Sequence, residues 1–304
     1  MRLSVIIPCY NAEDTLASQL EALANQSWDE PWEVLVVDNG STDRSREIAH
    51  EYQNKFDHYQ VVDASEKQGA SHARNVGVTL AKAEAVVFCD ADDVVAEGWV
   101  AAIGRAFEKY EFVASRFDFD KLNTNTGQDY ISGNQTAGLQ QLWYPPYAYH
   151  TGGCGMGVTK RIHQQVQGFD EDLLRLQDTD YCLRIQQLGV KLQFVSDALI
   201  YIRNRPSTKG AYFQGRTWAK YNTLLYKKYR GDQKIPNLWK QYWKDWYRVL
   251  RQGIRQRETP RWAFRFGWQI GLLQGIVTYR SAPAVVTNYK PHLVQRKQAE
   301  VTTQ

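Results

Sequence analysis

The chain has 304 residues, 43% apolar and 23% charged, with 21 glycines and 9 prolines. Those values exclude a mainly disordered, collagen-like or low-complexity protein, and the length suits about two domains. The net charge of +4 conceals an asymmetry: residues 1–202 carry 16 Lys and Arg against 29 Asp and Glu, whereas residues 203–304 carry 21 against 4.

Two short apolar runs, LSVIIPCY (3–10) and WEVLVVDNGSTD (32–43), bracket Leu16, Leu20 and Leu23, which recur at helical spacing. Strand, helix, strand follows. A second helix is expected through Ser45, Ile48, Ala49 and Tyr52, capped by Ser41 or Thr42. YQVVDAS (59–65) reads as a strand, HARNVGVTLAKA (72–83) as a helix and AEAVVFCDADD (83–93) as a strand ending in carboxylates. Alternation of this kind makes an α/β fold with a mostly parallel sheet covered on both faces. A helix over 99–110, a strand over 112–120 and a helix over 175–189 closed by a left-handed Gly189 come next, with LQFVS and ALIYI (192–202) as final strands.

The composition then changes. Leu238, Trp239, Tyr242, Trp243, Trp246 and Leu250 form an apolar stripe at helical spacing, with Lys240, Lys244, Arg248, Arg251 and Arg255 mostly off it. Six of the ten tryptophans lie beyond residue 217. Such a basic aromatic helix suits an anionic membrane surface, and equally an aromatic face docked on the acidic first region. Gly267, Gly271 and Gly275 recur every four residues and permit close approach of another helix. No known binding motif accompanies the basic stretch, so nucleic acid is not the expected partner.

Cys9, Cys89, Cys154 and Cys182 lie far apart without a C-x-x-C pair, which fits neither a disulfide framework nor a zinc knuckle and implies a reducing compartment. The apolar start contains a proline and is soon followed by Glu13 and Asp14, unlike a signal peptide. The longest uncharged apolar stretch, Phe266 to Tyr279, has 14 residues, short of the roughly 20 needed to cross a bilayer. A cytoplasmic protein, peripheral on the inner face of the cell membrane, is the expectation.

In open α/β sheets ligands bind beyond the carboxyl ends of the strands, and there the polar residues collect: Tyr10 and Asn11, Asp38 to Asp43, then Asp90, Asp92 and Asp93. Carboxylates at such an end are natural ligands for a hard divalent cation bridging to a diphosphate, although a solvated acidic loop has the same composition. Asp178 and Asp180 sit near a helix start, where an acid serves either as a general base or as a cap favoured by the helix dipole. Gly152, Gly153, Gly155 and Gly157 are not followed by the Lys and Ser or Thr of a Walker loop, and no G-x-G-x-x-G follows the first strand. These glycines are expected to let the backbone approach a bulky ligand.

Together VIIPCYNAEDTL, VVDNGSTDRS (36–45), GASHARNVG (69–77), CDADD (89–93) and GFDEDLLRLQDTDYCLR (168–184) resemble family 2 glycosyltransferases of the GT-A fold, over about 185 residues. The resemblance implies a Rossmann-like, mostly parallel sheet over 1–202, divided into a donor nucleotide-binding half (1–98) and an acceptor-binding half (99–202), followed by a basic helical region over 203–304. It implies inverting transfer of a sugar from a nucleotide-diphosphate donor to a hydroxyl of a saccharide or lipid-linked acceptor, with Mg²⁺ or Mn²⁺. By the same similarity Pro8 and Tyr10 flank the nucleobase, Asn11 lies beside the donor, and Asp38 and Asn39 read the base edge. Arg74 lies near the donor, Asp90 faces the ribose, and Asp92 holds the metal, with Asp93 the other candidate. Asp178 matches the catalytic base, with Gly153 and Asp180 on the acceptor side. Three positions depart from the pattern: Asn39 replaces a second Asp, Gln177 replaces a Glu, and YIRNR (201–205) lacks a His. A sugar-1-phosphate nucleotidyltransferase would need a glycine-rich basic loop near the N-terminus, which VIIPCYNAEDTL does not supply. A non-catalytic adaptor binding anions through the tail is the other alternative.

Overall fold

A computed structural model describes residues 1–123, 135–204, 207–230, 238–256 and 259–280, apart from the side chains of 238–242 and 254–256. Its first half is β1 (Leu3–Cys9), α1 (Leu16–Ala24), β2 (Trp32–Asp38), α2 (Ser45–Glu51), β3 (Tyr59–Asp63), α3 (Ala70–Leu80), β4 (Ala85–Phe88), β5 (Val94–Val95) and α4 (Trp99–Ala106). There follow β6 (Phe112–Asp118), β7 (Gln140–Gln141), β8 (Tyr149–His150), β9 (Met156–Thr159), α5 (Lys160–Gln165), α6 (Gln177–Gln187) and β10 (Gln193–Tyr201). The helices α7 (Thr208–Tyr229), α8 (Leu238–Gln256) and α9 (Pro260–Thr278) complete the described chain.

Eight strands form one sheet in the order β3-β2-β1-β4-β9-β6-β10-β5. The β3-β2-β1-β4 run and the β6–β10 pair are parallel, while β9 is antiparallel to both neighbours and β5 to β10. Alternation along β1 places Leu3, Val5 and Ile7 in one core layer, with Leu16, Leu20 and Leu23 of α1 and Trp99 and Ile103 of α4. Ile6 points to the other layer, with Ala73 and Val78 of α3 and Tyr181 and Ile185 of α6. Helices thus cover both faces.

The expected elements are present, with local corrections. The α2 helix is not capped by Ser41 or Thr42; instead Asp43 Oδ1 accepts the Ser45 N–H at 3.0 Å. The strand expected over 83–93 ends at Phe88, before the acids. LQFVS and ALIYI join in a single β10, whose register against β6 shifts between Val195 and Leu199. Gly189 is left-handed as expected, at φ 84°.

Ser207 caps α7 by accepting the Gly210 N–H at 2.9 Å, and Thr259 caps α9 with Pro260 at its start. A Cβ at Gly267 or Gly271 would collide with the carbonyl oxygens of Tyr212 and Arg216, so the four-residue glycine period does serve close contact, between α9 and α7. Leu225 and Tyr229 of α7 pack with Leu142, Tyr144, Leu173 and Leu183, and Tyr144 Oη donates to Asn222 Oδ1 at 2.9 Å. Part of the basic region is therefore docked on the acidic one. No helix among the described residues is long and apolar enough to cross a membrane.

Candidate active site

Register brings the strand ends level. Cys9 lies opposite Asp38, and Asp38 opposite Asp63. Beyond them the first two ends are sewn together: Asn11, at φ 48°, accepts the Thr42 N–H on Oδ1 at 2.8 Å, and its own N–H donates to Ser41 Oγ at 3.1 Å. Asp38 accepts the Ser41 N–H at 3.2 Å. Pro8 is partly buried near the end of β1, while Tyr10, just beyond it, is 51% exposed.

Asn39 does not fit the base-reading role expected of it. Its amide donates to the carbonyls of Ala64 at 2.6 Å and Lys67 at 2.8 Å, and its oxygen accepts the Gly69 N–H at 2.6 Å. Buried and fully engaged, this side chain shapes the turn leading into α3.

Arg74 projects from α3 and joins the two sides of the cleft. Its Nη2 donates to Asp90 Oδ1 at 2.6 Å, and the guanidinium lies over the Phe169 ring, 5.6 Å from its centroid. A Cβ on Gly153 would stand 2.6 Å from the same Nη2, so glycine here leaves room for the guanidinium in its place; it is the protein's own arginine, and not the expected ligand, that comes close. The Gly153 N–H in turn donates to Asp178 Oδ2 at 3.1 Å. Asp90, Arg74, Gly153 and Asp178 thus form one continuous row. The Nε and Nη1 atoms of Arg74 are buried and have no hydrogen-bond partner among the described residues. Buried cationic donors left over in this way suit an anion.

Asp178 enters in the first turn of α6, after Leu176 turns left-handed at φ 57°. Its Oδ1 accepts the Thr179 N–H at 2.7 Å. Burial raises the carboxyl above the ordinary carboxylate range, against the lowering effect of the Thr179 and Gly153 N–H groups and the Arg74 charge, and Asp90 adds to the rise. Among the described residues no Lys or Arg forms an ion pair with it.

Asp180 leaves the same turn but lies outside this row, contrary to the acceptor-side expectation. Fully buried, it accepts from Arg184 Nε at 2.7 Å, Lys228 Nζ at 2.7 Å and Tyr229 Oη at 2.6 Å. Burial alone would raise this carboxyl, but Arg184 and Lys228 outweigh it and hold it below the usual range. Lys228 and Tyr229 are thus residues that sequence reasoning missed. Nothing local marks them, because the partner of a buried acid 48 residues away has no spacing signature.

Among the acids, Asp92 is partly exposed and Asp93 is 5% exposed. Asp93 accepts the Arg203 N–H at 2.9 Å, while Arg203 Nε donates to the Asp92 carbonyl at 3.0 Å, so Arg203 closes this turn. Burial, then the charges of Asp92 and Asp90, raise the Asp93 carboxyl. Oxygens of Asp90 and Asp93 and the Cys154 sulfur all lie within 4.8 Å of one another. The carboxylates fit a hard cation such as Mg²⁺ or Mn²⁺; Cys154, whose thiol burial keeps protonated, does not.

The family model described as glycosyl transferase family 2 matches residues 4–165, more than half of the chain. The chain belongs to glycosyl transferase family 2. Glycosyltransferase GlyG of Streptococcus pneumoniae is 29% identical over 251 residues, which is 78% of this chain and 82% of that protein. Glycosyltransferase AglE of Haloferax volcanii is 35% identical over 202 residues, 65% of each chain. Two solved structures share the architecture. TarS of S. aureus superposes with a TM-score of 0.54 at 19% identity, over 84% of this chain and 73% of that one. The mannosyltransferase PcManGT of Pyrobaculum calidifontis gives 0.56 at 18%, over 93% and 76%. At those identities the likeness establishes the fold, GT-A. This family 2 enzyme transfers a sugar from a nucleotide-diphosphate donor to an acceptor, and the nucleotidyltransferase and adaptor alternatives are not favoured.

Proposed function

We propose that the enzyme is an inverting, metal-dependent glycosyltransferase of cell-surface glycan assembly, with Asp178 as its base. The observation that carries this is the row Asp90–Arg74–Gly153–Asp178, which sets an acid pushed up by burial across from a donor-side arginine and carboxylate. The donor half (1–98) and acceptor half (99–202) meet there. Pro8, Tyr10, Asn11 and Asp38 line the base side, Asp90 meets the ribose, and the spare donors of Arg74 take diphosphate oxygens.

Asp178 removes the proton of the acceptor hydroxyl as that oxygen attacks the anomeric carbon from the face opposite the diphosphate. The bond to the leaving diphosphate breaks with its electron pair, Asp178 keeps the proton, and a single displacement inverts the anomeric centre. Asp92 would hold Mg²⁺ or Mn²⁺, with Asp93 anchored behind it, and the cation would offset charge on the leaving group. The complexes of PcManGT with GDP-Man and Mn²⁺, and of TarS with UDP-GlcNAc, support a nucleotide-sugar donor and a metal. A saccharide acceptor accords with relatives such as the minor teichoic acid biosynthesis protein GgaB of Bacillus subtilis, 26% identical over 248 residues, 77% of this chain and 27% of that protein; that the saccharide is carried on a lipid is part of the proposal.

The test is Asp178→Asn, which keeps the size and one of the two N–H contacts while removing the base. Transfer should fall by about a thousandfold, with nucleotide-sugar binding by calorimetry within a factor of about two of the parent. Retained turnover would remove Asp178 from the role.

A further inference from the structure

The α8 helix divides its surface into three bands. Its inner side meets α9: Trp262 Nε1 donates to the Val249 carbonyl at 2.8 Å, and the Trp246 ring lies edge-on to Phe266 at 5.8 Å. On the outer side, Trp243, Tyr247 and Leu250 follow one another at helical spacing and are 65%, 66% and 58% exposed. Beside them Lys244, Arg248 and Arg251 are also exposed, with Arg248 reaching Asp245 at 3.2 Å. An aromatic face meant for the interior would bury these rings, as Trp99 is buried in the core.

We propose that this outer face of α8 binds an anionic phospholipid surface. Trp and Tyr at i and i+4 with Leu at i+7 give a narrow apolar strip, the depth an interfacial helix inserts, and the adjacent cations meet lipid phosphates. The end of α9 repeats the combination: Leu273, Ile276 and Val277 are exposed, with Arg216 and Lys220 of α7 lining the same cleft as Leu273 and Val277. Whole-molecule charge points the same way. The acidic 1–202 region is repelled by an anionic surface and the basic 203–304 region is drawn to it, so approach is oriented before contact. A protein partner would need charge complementary to the cationic band but not the lipid-like match of ring, aliphatic strip and cations. Binding stands independently of the transfer chemistry; only the corollary that a lipid-carried acceptor is met at this surface rests on the proposed function.

The experiment is co-sedimentation of the full chain with vesicles of phosphatidylcholine alone or with added phosphatidylglycerol. The parent should bind the anionic vesicles, release as salt rises, and ignore the neutral ones. Combining Trp243→Ser, Tyr247→Ser and Leu250→Ser should abolish binding. Combining Lys244→Gln, Arg248→Gln and Arg251→Gln should weaken it about fivefold per charge removed, on the order of a hundredfold together. Both variants should keep the parent's circular dichroism and nucleotide-sugar binding, which separates loss of the surface from loss of fold or of the active site. The proposal is overturned if the parent stays in solution with anionic vesicles at low salt, or if both variants bind like the parent. It is equally overturned if the parent self-associates without binding vesicles and the serine variant is monomeric, because the face then belongs to a second copy.

Discussion

The cleft end of α6 and its junction with α7 use the same side chain for opposite ends. Asp178 and Asp180 are two residues apart, yet one is flanked by two N–H groups with no paired cation among the described residues and the other is held by two cations and a phenol. The first carboxyl is raised and available for a proton; the second is lowered and locked. Helix geometry explains the split, since residues two apart point to opposite sides. A single turn can therefore carry a reactive acid on one side and an anchor for the C-terminal helices on the other.

The comparison breaks most directly at the anchor. Asp180→Ala takes the fully buried acid away from the half-buried Arg184 and Lys228, and breaking such a set costs up to about 3–5 kcal/mol. Chemical denaturation should show that loss. A change below about 1 kcal/mol would mean the network contributes little beyond a surface pair, and the contrast between the two acids would fail. Next in size is Gly271→Ala, whose added carbon meets the Arg216 carbonyl of α7. Backbone cannot yield as a flexible side chain can, so α7 and α9 must separate, at about 1–3 kcal/mol, again read from denaturation.

At the cleft, Gly153→Ala sharpens the other side of the contrast. The new carbon meets the far end of Arg74, which can swing away, so stability should change by less than about 1 kcal/mol while activity falls at least about tenfold as the Arg74–Asp90 contact is lost. Paired measurement of melting temperature and turnover checks it. Equal losses of both would place Gly153 in the core rather than in the site.

Much of this was legible in the sequence, for physical reasons particular to each part. The strands β1 and β2, the leucines of α1 and the glycine period of α9 are repeats of short range, and local pattern reports them faithfully. The expectation that Asp178 is the base rests on a motif with fixed neighbours, which a sequence displays directly. The cap by Asp43 was missed because three candidate oxygens stand side by side at 41–43, and backbone direction alone chooses among them. Asn39 was misread because its binding partners, Ala64 and Lys67, come from a different loop. Lys228 and Tyr229 were invisible for the same reason, on a larger scale: contacts between distant segments leave no trace in spacing.

The smallest expected effect is also the one that separates the two acids in a single experiment. As a base Asp178 works only when ionised, so turnover should rise with pH through a midpoint above the ordinary carboxylate range, where burial holds its pKa. For stability the same raised pKa acts in reverse, because ionising a group that the fold prefers protonated weakens the fold as pH rises through that midpoint. Asp180 has the opposite sign. Its depressed pKa stabilises the fold above the unfolded value of about 3.9, and that contribution is lost as pH falls toward the folded value. Between the two midpoints lies a window, bounded by the raised Asp178 and the lowered Asp180, in which Asp180 is ionised and the base is protonated. Circular dichroism and initial rates across that window should show a folded, inactive enzyme that recovers fully on neutralisation. Activity and structure lost together, at the same pH, would show that the two carboxyls do not differ as their surroundings require.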